Sequence, residues 1–166
     1  MARKKKRELC LGAFLVAGGC LVRSIQLVGA YFGAGFVSLR WLYVTMLCLL
    51  CGGFAVLAYE KKGKASFFAI ASSAVSLLST VMGNMSSGDD LLRILSAVFL
   101  VATFALVGLY CVFASEDDTL KKVCGVTVIL LAVACGIFAA GLTVSPVITL
   151  IVLLAAYVLT GLAVLM

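Results

Sequence analysis

Six stretches of about 20 residues are almost free of charge, and this pattern constrains the fold more than any other sequence feature. A helix needs about 20 predominantly apolar residues to cross a hydrocarbon core ~30 Å thick, and in a helix every interior backbone amide is bonded within the segment. The pattern therefore predicts six transmembrane helices. They are Leu9–Val28, Trp41–Tyr59, Ala65–Gly83, Ile94–Ala114, Val123–Thr143 and Val147–Met166, and only the first contains a charged residue.

The overall composition excludes a water-soluble domain. Of the 166 residues, 64% are apolar and 12% are charged, and the mean hydropathy is +1.26. Soluble domains are roughly half apolar and a quarter charged, and a domain this small buries too little surface to hide the excess. The loops between the spans are short and therefore favour antiparallel neighbours. We predict an all-α membrane protein, with residues 1–166 forming one polytopic domain, a compact bundle of six transmembrane helices arranged as three helical hairpins.

The distribution of basic residues predicts the orientation of the bundle, because loops rich in Lys and Arg stay on the cytoplasmic side. Ten of the 13 basic residues precede helix 1 or lie between helices 2 and 3 or helices 4 and 5. We therefore expect both termini in the cytoplasm, and the cell membrane as the location. The three exceptions are Arg23, Arg40 and Arg93.

Several helix starts carry capping residues. Ser145 followed by Pro146 suits an N-cap and a first helical position, where a missing N–H has no cost. Carboxylates before a helix can accept hydrogen bonds from its first amides and interact favourably with its dipole. Two aspartate pairs are placed in this way, Asp89–Asp90 before helix 4 and Asp117–Asp118 before helix 5.

Small residues recur along helix 3 at spacings of three and four, which places them in one seam on a single face. In lipid such a seam lets another helix backbone approach closely. We expect helix 3 to be central, and its Ser and Thr hydroxyls offer the alternative of a polar pathway. Helix 5 has a shorter seam, so the two helices either pack together or receive other neighbours. The helix 3 seam is Ala65, Ala69, Ser72, Ser76, Ser79 and Gly83, and that of helix 5 is Ala132, Gly136 and Ala139.

Arg23 and Gln26 are the only strongly polar side chains within a predicted span, and they lie three residues apart on one helix face. Intramembrane polar groups are candidates for functional sites. The simpler interpretation is that helix 1 ends near Val22 and that Arg23 reaches the lipid headgroups. The alternative is a binding or gating role in the bundle interior.

The chain has few groups suited to catalysis or to holding a metal or cofactor. It lacks His, and no Asp or Glu lies in a predicted span. Cys48 and Cys51 form a CxxC motif, but all seven cysteines fall in helices or at their cytoplasmic ends, away from outer loops where a disulfide partner would be met. We therefore expect no enzyme activity, catalytic residue, cofactor or metal site.

The amino terminus allows two interpretations. A basic run, Arg3–Arg7, precedes an apolar run, as in a secretory signal, and Ala17–Cys20 loosely resembles the lipobox of bacterial lipoproteins. That motif usually has Leu three residues before the Cys, where this chain has Ala17, so an uncleaved first helix is favoured. The basic run is explained by orientation and anionic lipid, and nucleic acid is not an expected partner.

Two functional classes fit these features. The first is a noncatalytic subunit or scaffold that associates through small-residue seams with another membrane protein or with copies of itself. The second is a small-solute transporter or channel, favoured by the six helices and the hydroxyl-rich helix 3. Beyond these partners we expect contact only with membrane lipids.

Overall fold

A computed structural model describes residues 10–35, 40–60, 63–85, 90–115, 118–139 and 145–166. These residues form six α-helices, and they include no strand. The helices are α1 (Leu11–Tyr31), α2 (Arg40–Glu60), α3 (Lys64–Met85), α4 (Asp90–Ala114), α5 (Thr119–Ala139) and α6 (Pro146–Leu165).

The predicted all-α membrane fold is confirmed. Each of the six helices in the described part of the chain is long and apolar enough to cross a membrane. Between 22% and 33% of each span is buried inside the bundle, and the other described side chains of the helices are half-buried or exposed. Large apolar residues such as Phe67, Leu130 and Ile151 are more than half exposed, as expected for surfaces that contact lipid.

The helix boundaries differ from the predictions mainly at α4 and α5, which begin four residues earlier than expected, at Asp90 and Thr119. At Thr119 the reason is a cap: the Asp118 carboxylate accepts hydrogen bonds from the backbone amides of Leu120 (3.1 Å) and Lys121 (3.4 Å). Pro146 occupies the start of α6 as predicted, but the preceding Ser145 makes no side-chain cap bond. Asp89, Asp117, the basic run 3–7 and residues 140–143 lie outside the described residues.

The helices run alternately up and down. Between α2 and α3 the Ser66 hydroxyl bonds the Ala58 carbonyl at 2.7 Å, and further along the Tyr43 hydroxyl bonds the Thr80 carbonyl at 3.3 Å. We call the end of the bundle with the start of α1 and the end of α6 the terminal end. The opposite end is the distal end.

The six helices form a closed ring in chain order, because α6 packs against α1. A Cβ added to Gly161 of α6 would lie 3.5 Å from the Cβ of Cys20. Nearer the distal end, Tyr157 of α6 faces Arg23 of α1. Across the ring, the Phe104 ring of α4 meets the Tyr157 ring edge-on at 5.0 Å between centroids, so that α4 also contacts α6.

The predicted central position of helix 3 is wrong. Helix α3 packs against α2 and α4, whereas α4 contacts α3, α5 and α6. Only one face of α3 carries small residues, and the other carries exposed Phe67, Ile70 and Leu77, which suit lipid better than a protein neighbour. The seams of helices 3 and 5 therefore each receive a neighbour other than each other, and that neighbour is α4 in both cases.

Two pairs of glycines bring helices close together in the terminal half. A Cβ on Gly12 of α1 would lie 2.9 Å from the carbonyl oxygen of Gly53 in α2, and a Cβ on Gly53 would lie 2.7 Å from the backbone nitrogen of Val16 in α1. A Cβ on Gly108 of α4 would lie 2.6 Å from the carbonyl oxygen of Gly125 in α5, and the reciprocal distance is 2.8 Å. Real Cβ atoms do not approach backbone this closely, so glycine is required at these crossings.

Candidate functional site

A cavity of about 290 Å³ occupies the distal half of the ring. Five helices line it, and α5 contributes no described residue. Its wall combines one guanidinium and several hydroxyl groups with an apolar side formed by Met46, Leu50 and Leu100. The polar members of the lining are Arg23, Tyr43, Ser76, Ser79, Thr80, Ser96 and Tyr157.

Arg23 lines this cavity because α1 does not end where the simpler interpretation placed it. The helix continues without a break to Tyr31, so the expected end near Val22 is wrong. Arg23 lies eight residues before that end, or ~12 Å along the helix axis at ~1.5 Å per residue. The position turns its side chain toward the ring interior, where the alternative interpretation had placed it.

The Arg23 guanidinium has two neutral partners. Its Nη1 donates to the Gln26 Oε1 atom at 3.3 Å, and its side chain also faces the Tyr157 hydroxyl. Gln26 is only 3% exposed, so this pair is part of the packed interior. The structure thus brings together the two polar residues that the sequence singled out and adds Tyr157 from the opposite end of the chain.

The helix 3 seam contributes two of the six described hydroxyl groups that line the cavity, those of Ser76 and Ser79. Ser72, Ser76 and Ser79 are buried, as are Ala65 and Ala69 nearer the terminal end. Ser79 and Ser96 exchange two hydrogen bonds of 2.9 Å, each hydroxyl donating to the other residue's carbonyl. This contact fixes α3 against α4.

Gly83, the last residue of the seam, is exposed, unlike the other five. It also lines the cavity, and a Cβ there would lie 3.0 Å from the Ser96 hydroxyl. The seam therefore serves two purposes within the chain. Toward the terminal end it packs helices, and toward the distal end it lines a polar space, so the packing and polar-pathway interpretations each describe part of it.

The seam of helix 5 is also used within the chain. Ala132 is 1% exposed, and a Cβ on Gly136 would lie 3.5 Å from Val101 of α4. Ala139 is the last residue of α5, and its side chain is not among those that the structure describes.

A smaller cavity of about 20 Å³ lies beyond the first, toward the terminal end. It shares Leu50, Ser76, Leu100 and Tyr157 with the larger cavity, and Thr103 and Thr160 line it as well. The Thr160 hydroxyl is buried and has no hydrogen-bond partner within the described ranges. Beyond this point the interior is filled by large side chains that are at most 2% exposed, namely Phe54, Leu57, Phe104 and Val107.

Sequence analysis missed Tyr43, Ser96, Tyr157 and Thr160. One signal was available for the last two, because they are the only polar side chains in the second half of helix 6 and are three residues apart on one face. Tyr43 and Ser96 resemble ordinary residues near helix ends. Their role depends on which helices become neighbours, which hydropathy does not predict.

The cysteines and acidic residues form no metal cluster within the described ranges. None of the seven cysteines, all of which are described, forms a disulfide; Cys48 is exposed on the outside of α2, whereas the Cys51 thiol contacts the Ser73 carbonyl at 3.7 Å. At the terminal end the Cys10 thiol contacts the Glu60 carboxylate.

The six described helices are those of a multi-pass helical membrane protein by length and composition, and the cavity around Arg23 is a polar region of their interior. This region carries a charge and several hydroxyl groups in an otherwise apolar bundle. Comparisons with known proteins add no assignment, because no family model, curated protein or solved structure matches the chain.

Proposed function

We propose that the protein is a small-solute transporter or channel and that the cavity of the distal half is its solute site. The observation that supports this most directly is the polar lining of a space of about 290 Å³ within a membrane bundle. Polar groups inside a membrane protein are costly and commonly mark substrate or ion pathways. Clefts of roughly 300 Å³ and above, lined by apolar walls and a few convergent polar groups, are typical ligand sites.

The terminal half supports the same function by closing the path. Phe54, Leu57, Phe104 and Val107 fill the interior there, and the Gly53 and Gly108 crossings hold the helices close around them. A solute in the cavity is thus separated from the terminal end by tightly packed side chains. Passage across the membrane requires these side chains to move, as in a gate that opens only after a solute has bound.

This function does not involve catalysis. We place the protein in the cell membrane with both termini in the cytoplasm, a proposal that rests on the basic residues. Within the described ranges, Lys64, Lys121 and Lys122 all lie at the terminal end, where α1 begins. The distal cavity is then on the outer side of the membrane.

The transport proposal is tested by measuring solute entry into proteoliposomes. Light scattering after an osmotic shock reports the rate of entry. The solutes are glycerol, propionamide, potassium chloride and potassium propionate, with valinomycin present so that anion entry limits the swelling caused by the salts. We expect at least one solute to enter faster than into protein-free liposomes. Rates equal to those of protein-free liposomes for every solute contradict the proposal.

Ser76→Phe and Leu77→Phe provide a matched pair of variants. Ser76 lines the cavity and is 7% exposed, whereas Leu77 is 44% exposed on the outer face. A phenyl ring at position 76 has the cavity to occupy, so we expect solute entry to be lost with little change in melting temperature. The same ring at position 77 points toward lipid and should leave entry unchanged, and full entry through the Ser76→Phe variant contradicts the assigned path.

A second candidate function is the noncatalytic subunit or scaffold. The helix 3 seam supports it less than the sequence suggested, because its packing residues contact other helices of the same chain. A different stripe supports it: Cys48, Gly52 and Ala55 follow one another at spacings of four and three on the outer side of α2. A Cβ on Gly52 meets nothing within 4 Å, so this face has room for a close helix neighbour.

The scaffold proposal can be tested directly as self-association of the chain through this stripe. Mass measurement in detergent should give a dimer for the wild-type chain and a monomer for Gly52→Leu. Leu77→Phe, on the outer face of α3, is the control and should remain dimeric. A monomeric wild-type chain would leave transport as the better-supported function.

A further inference from the structure

The positive charge of Arg23 has no acidic partner within the described part of the chain. The carboxylates described there, Glu60, Asp90 and Asp118, lie at helix ends, and none lines the cavity. Gln26 and Tyr157 each offer only a neutral oxygen. Arg23 is half-buried, and a charged group that is partly withdrawn from water is stabilised by an opposite charge or by several good hydrogen bonds.

From this arrangement we infer that the cavity binds a small monocarboxylate. Its carboxylate pairs with the Arg23 guanidinium, and its short carbon chain lies against Met46, Leu50 and Leu100. This inference rests on the proposed solute site and names the class of solute. The charged end and the apolar wall are parts of one lining, so a ligand with one anionic and one apolar end matches both.

The charge and its geometry select a monoanion with a planar acid group. A guanidinium presents parallel N–H donors whose spacing matches the two oxygens of a carboxylate. One of its donors is directed at Gln26, which leaves others for a ligand. Hydroxyl groups from Ser76, Thr80 and Tyr157 supply further donors around the same space. Among the described residues that line the cavity, Arg23 alone carries a positive charge, so a dianion has no second cationic partner among them and a cation is repelled.

The size of the cavity limits the carbon chain. A volume of about 290 Å³ lies at the lower end of ligand-site volumes, which begin at roughly 300 Å³, and it therefore favours a small molecule. Propionate, butyrate and benzoate are small enough for a cavity of this volume. The smaller cavity beyond it has about 20 Å³, room for one water molecule beside the unpartnered Thr160 hydroxyl, and it extends the polar surface past Ser76.

Binding to the purified protein in detergent tests the inference, with sodium propionate as the probe. Propionamide is the matched neutral ligand, sodium chloride at equal ionic strength is the inorganic anion, and decanoate represents a membrane fatty acid. We expect propionate to bind and to raise the melting temperature, and propionamide to do neither. Equal effects of propionamide, equal effects of chloride, or binding of decanoate with no shorter chain would each overturn the inference.

Three variants test whether the positive charge of Arg23 binds propionate. Arg23→Gln should weaken propionate binding at least tenfold, and Arg23→Lys should weaken it less, because the charge stays while the paired donors are lost. Lys122→Gln removes an exposed charge at the terminal end and should bind propionate as the wild type does. Wild-type affinity in Arg23→Gln contradicts the inference, as does an equal loss in Lys122→Gln.

The outcomes separate the inference from the function on which it rests. If propionate fails to bind while neutral solutes enter proteoliposomes, the solute class is wrong and the transport function stands. If propionate binds through Arg23 but no solute enters, the anion site stands and the transport function is wrong.

Discussion

Gly52 and Gly53 are neighbours in α2, and replacing each with alanine should have opposite effects on stability. A Cβ on Gly53 would lie 2.7 Å from both the Val16 backbone nitrogen and its Cγ2 atom, and 3.0 Å from the Gly12 carbonyl oxygen. A Cβ on Gly52 would meet nothing within 4 Å. The Val16 nitrogen belongs to the main chain, so a change of rotamer cannot relieve the contact, and α1 and α2 must move apart.

The expected difference follows from two opposing effects. Alanine is favoured over glycine within a helix by about 0.5–1 kcal/mol, and this gain applies to both variants. Overpacking a tight contact costs about 1–3 kcal/mol, and only Gly53→Ala incurs it. We therefore expect Gly53→Ala to be less stable than Gly52→Ala by ~2 kcal/mol. For a chain of this size that difference corresponds to ~4–8 °C in melting temperature.

The chain carries its own reporters for this measurement. Cys20, Cys111 and Cys135 are at most 6% exposed, so a thiol-reactive fluorogenic maleimide labels them only as the bundle opens on heating. Both variants and the wild type are heated in the same detergent with this dye. A melting temperature of Gly53→Ala equal to or above that of Gly52→Ala would refute the close crossing of α1 and α2.

Three further predictions concern orientation, packing and burial. Single cysteines at Lys64 and at Gly88 in a cysteine-free background should be labelled from opposite sides of the membrane, and labelling from one side contradicts the topology. Ser79→Ala and Ser96→Ala each remove one hydroxyl that donates to a backbone carbonyl, so each should lower the stability measured by thermal unfolding by about 0.6 kcal/mol and the double variant by the sum of the two; unchanged stability in either single variant contradicts this contact. Thr160→Val removes a buried hydroxyl without a partner and should stabilise the protein by ~1 kcal/mol, so a lower melting temperature contradicts this interpretation.

Hydropathy was sufficient to predict the six helices, because a membrane span must be long, apolar and internally hydrogen-bonded. Spacing along helix 3 was sufficient to place its small residues on one face. Neither identified which helix that face meets, so the contact of Ser79 with Ser96 was not predicted. Neighbour choice in lipid depends on close packing between surfaces of similar hydropathy, which a sequence pattern of one helix does not show.

The surroundings of Arg23 were likewise not predictable from the sequence of one helix. Its charge suggested that the apolar part of helix 1 ends nearby, since an isolated charge in lipid is costly. The cost depends on surroundings, and here α6 supplies Tyr157 and the same helix supplies Gln26. A span that is judged alone is therefore predicted to end too early when another helix contacts its polar residue.

The closure of the ring between α1 and α6 has a consequence for biogenesis. Arg23 emerges from the ribosome with the first helix, whereas its partner Tyr157 belongs to the last. Contacts between elements so distant in the chain form late, because the intervening loop must be closed first. During synthesis the guanidinium is therefore without Tyr157, and it is stabilised by Gln26, water or lipid phosphates until α6 inserts. The cavity is completed only at that final step, so a translation product that stops before α6 presents an arginine that Tyr157 does not contact.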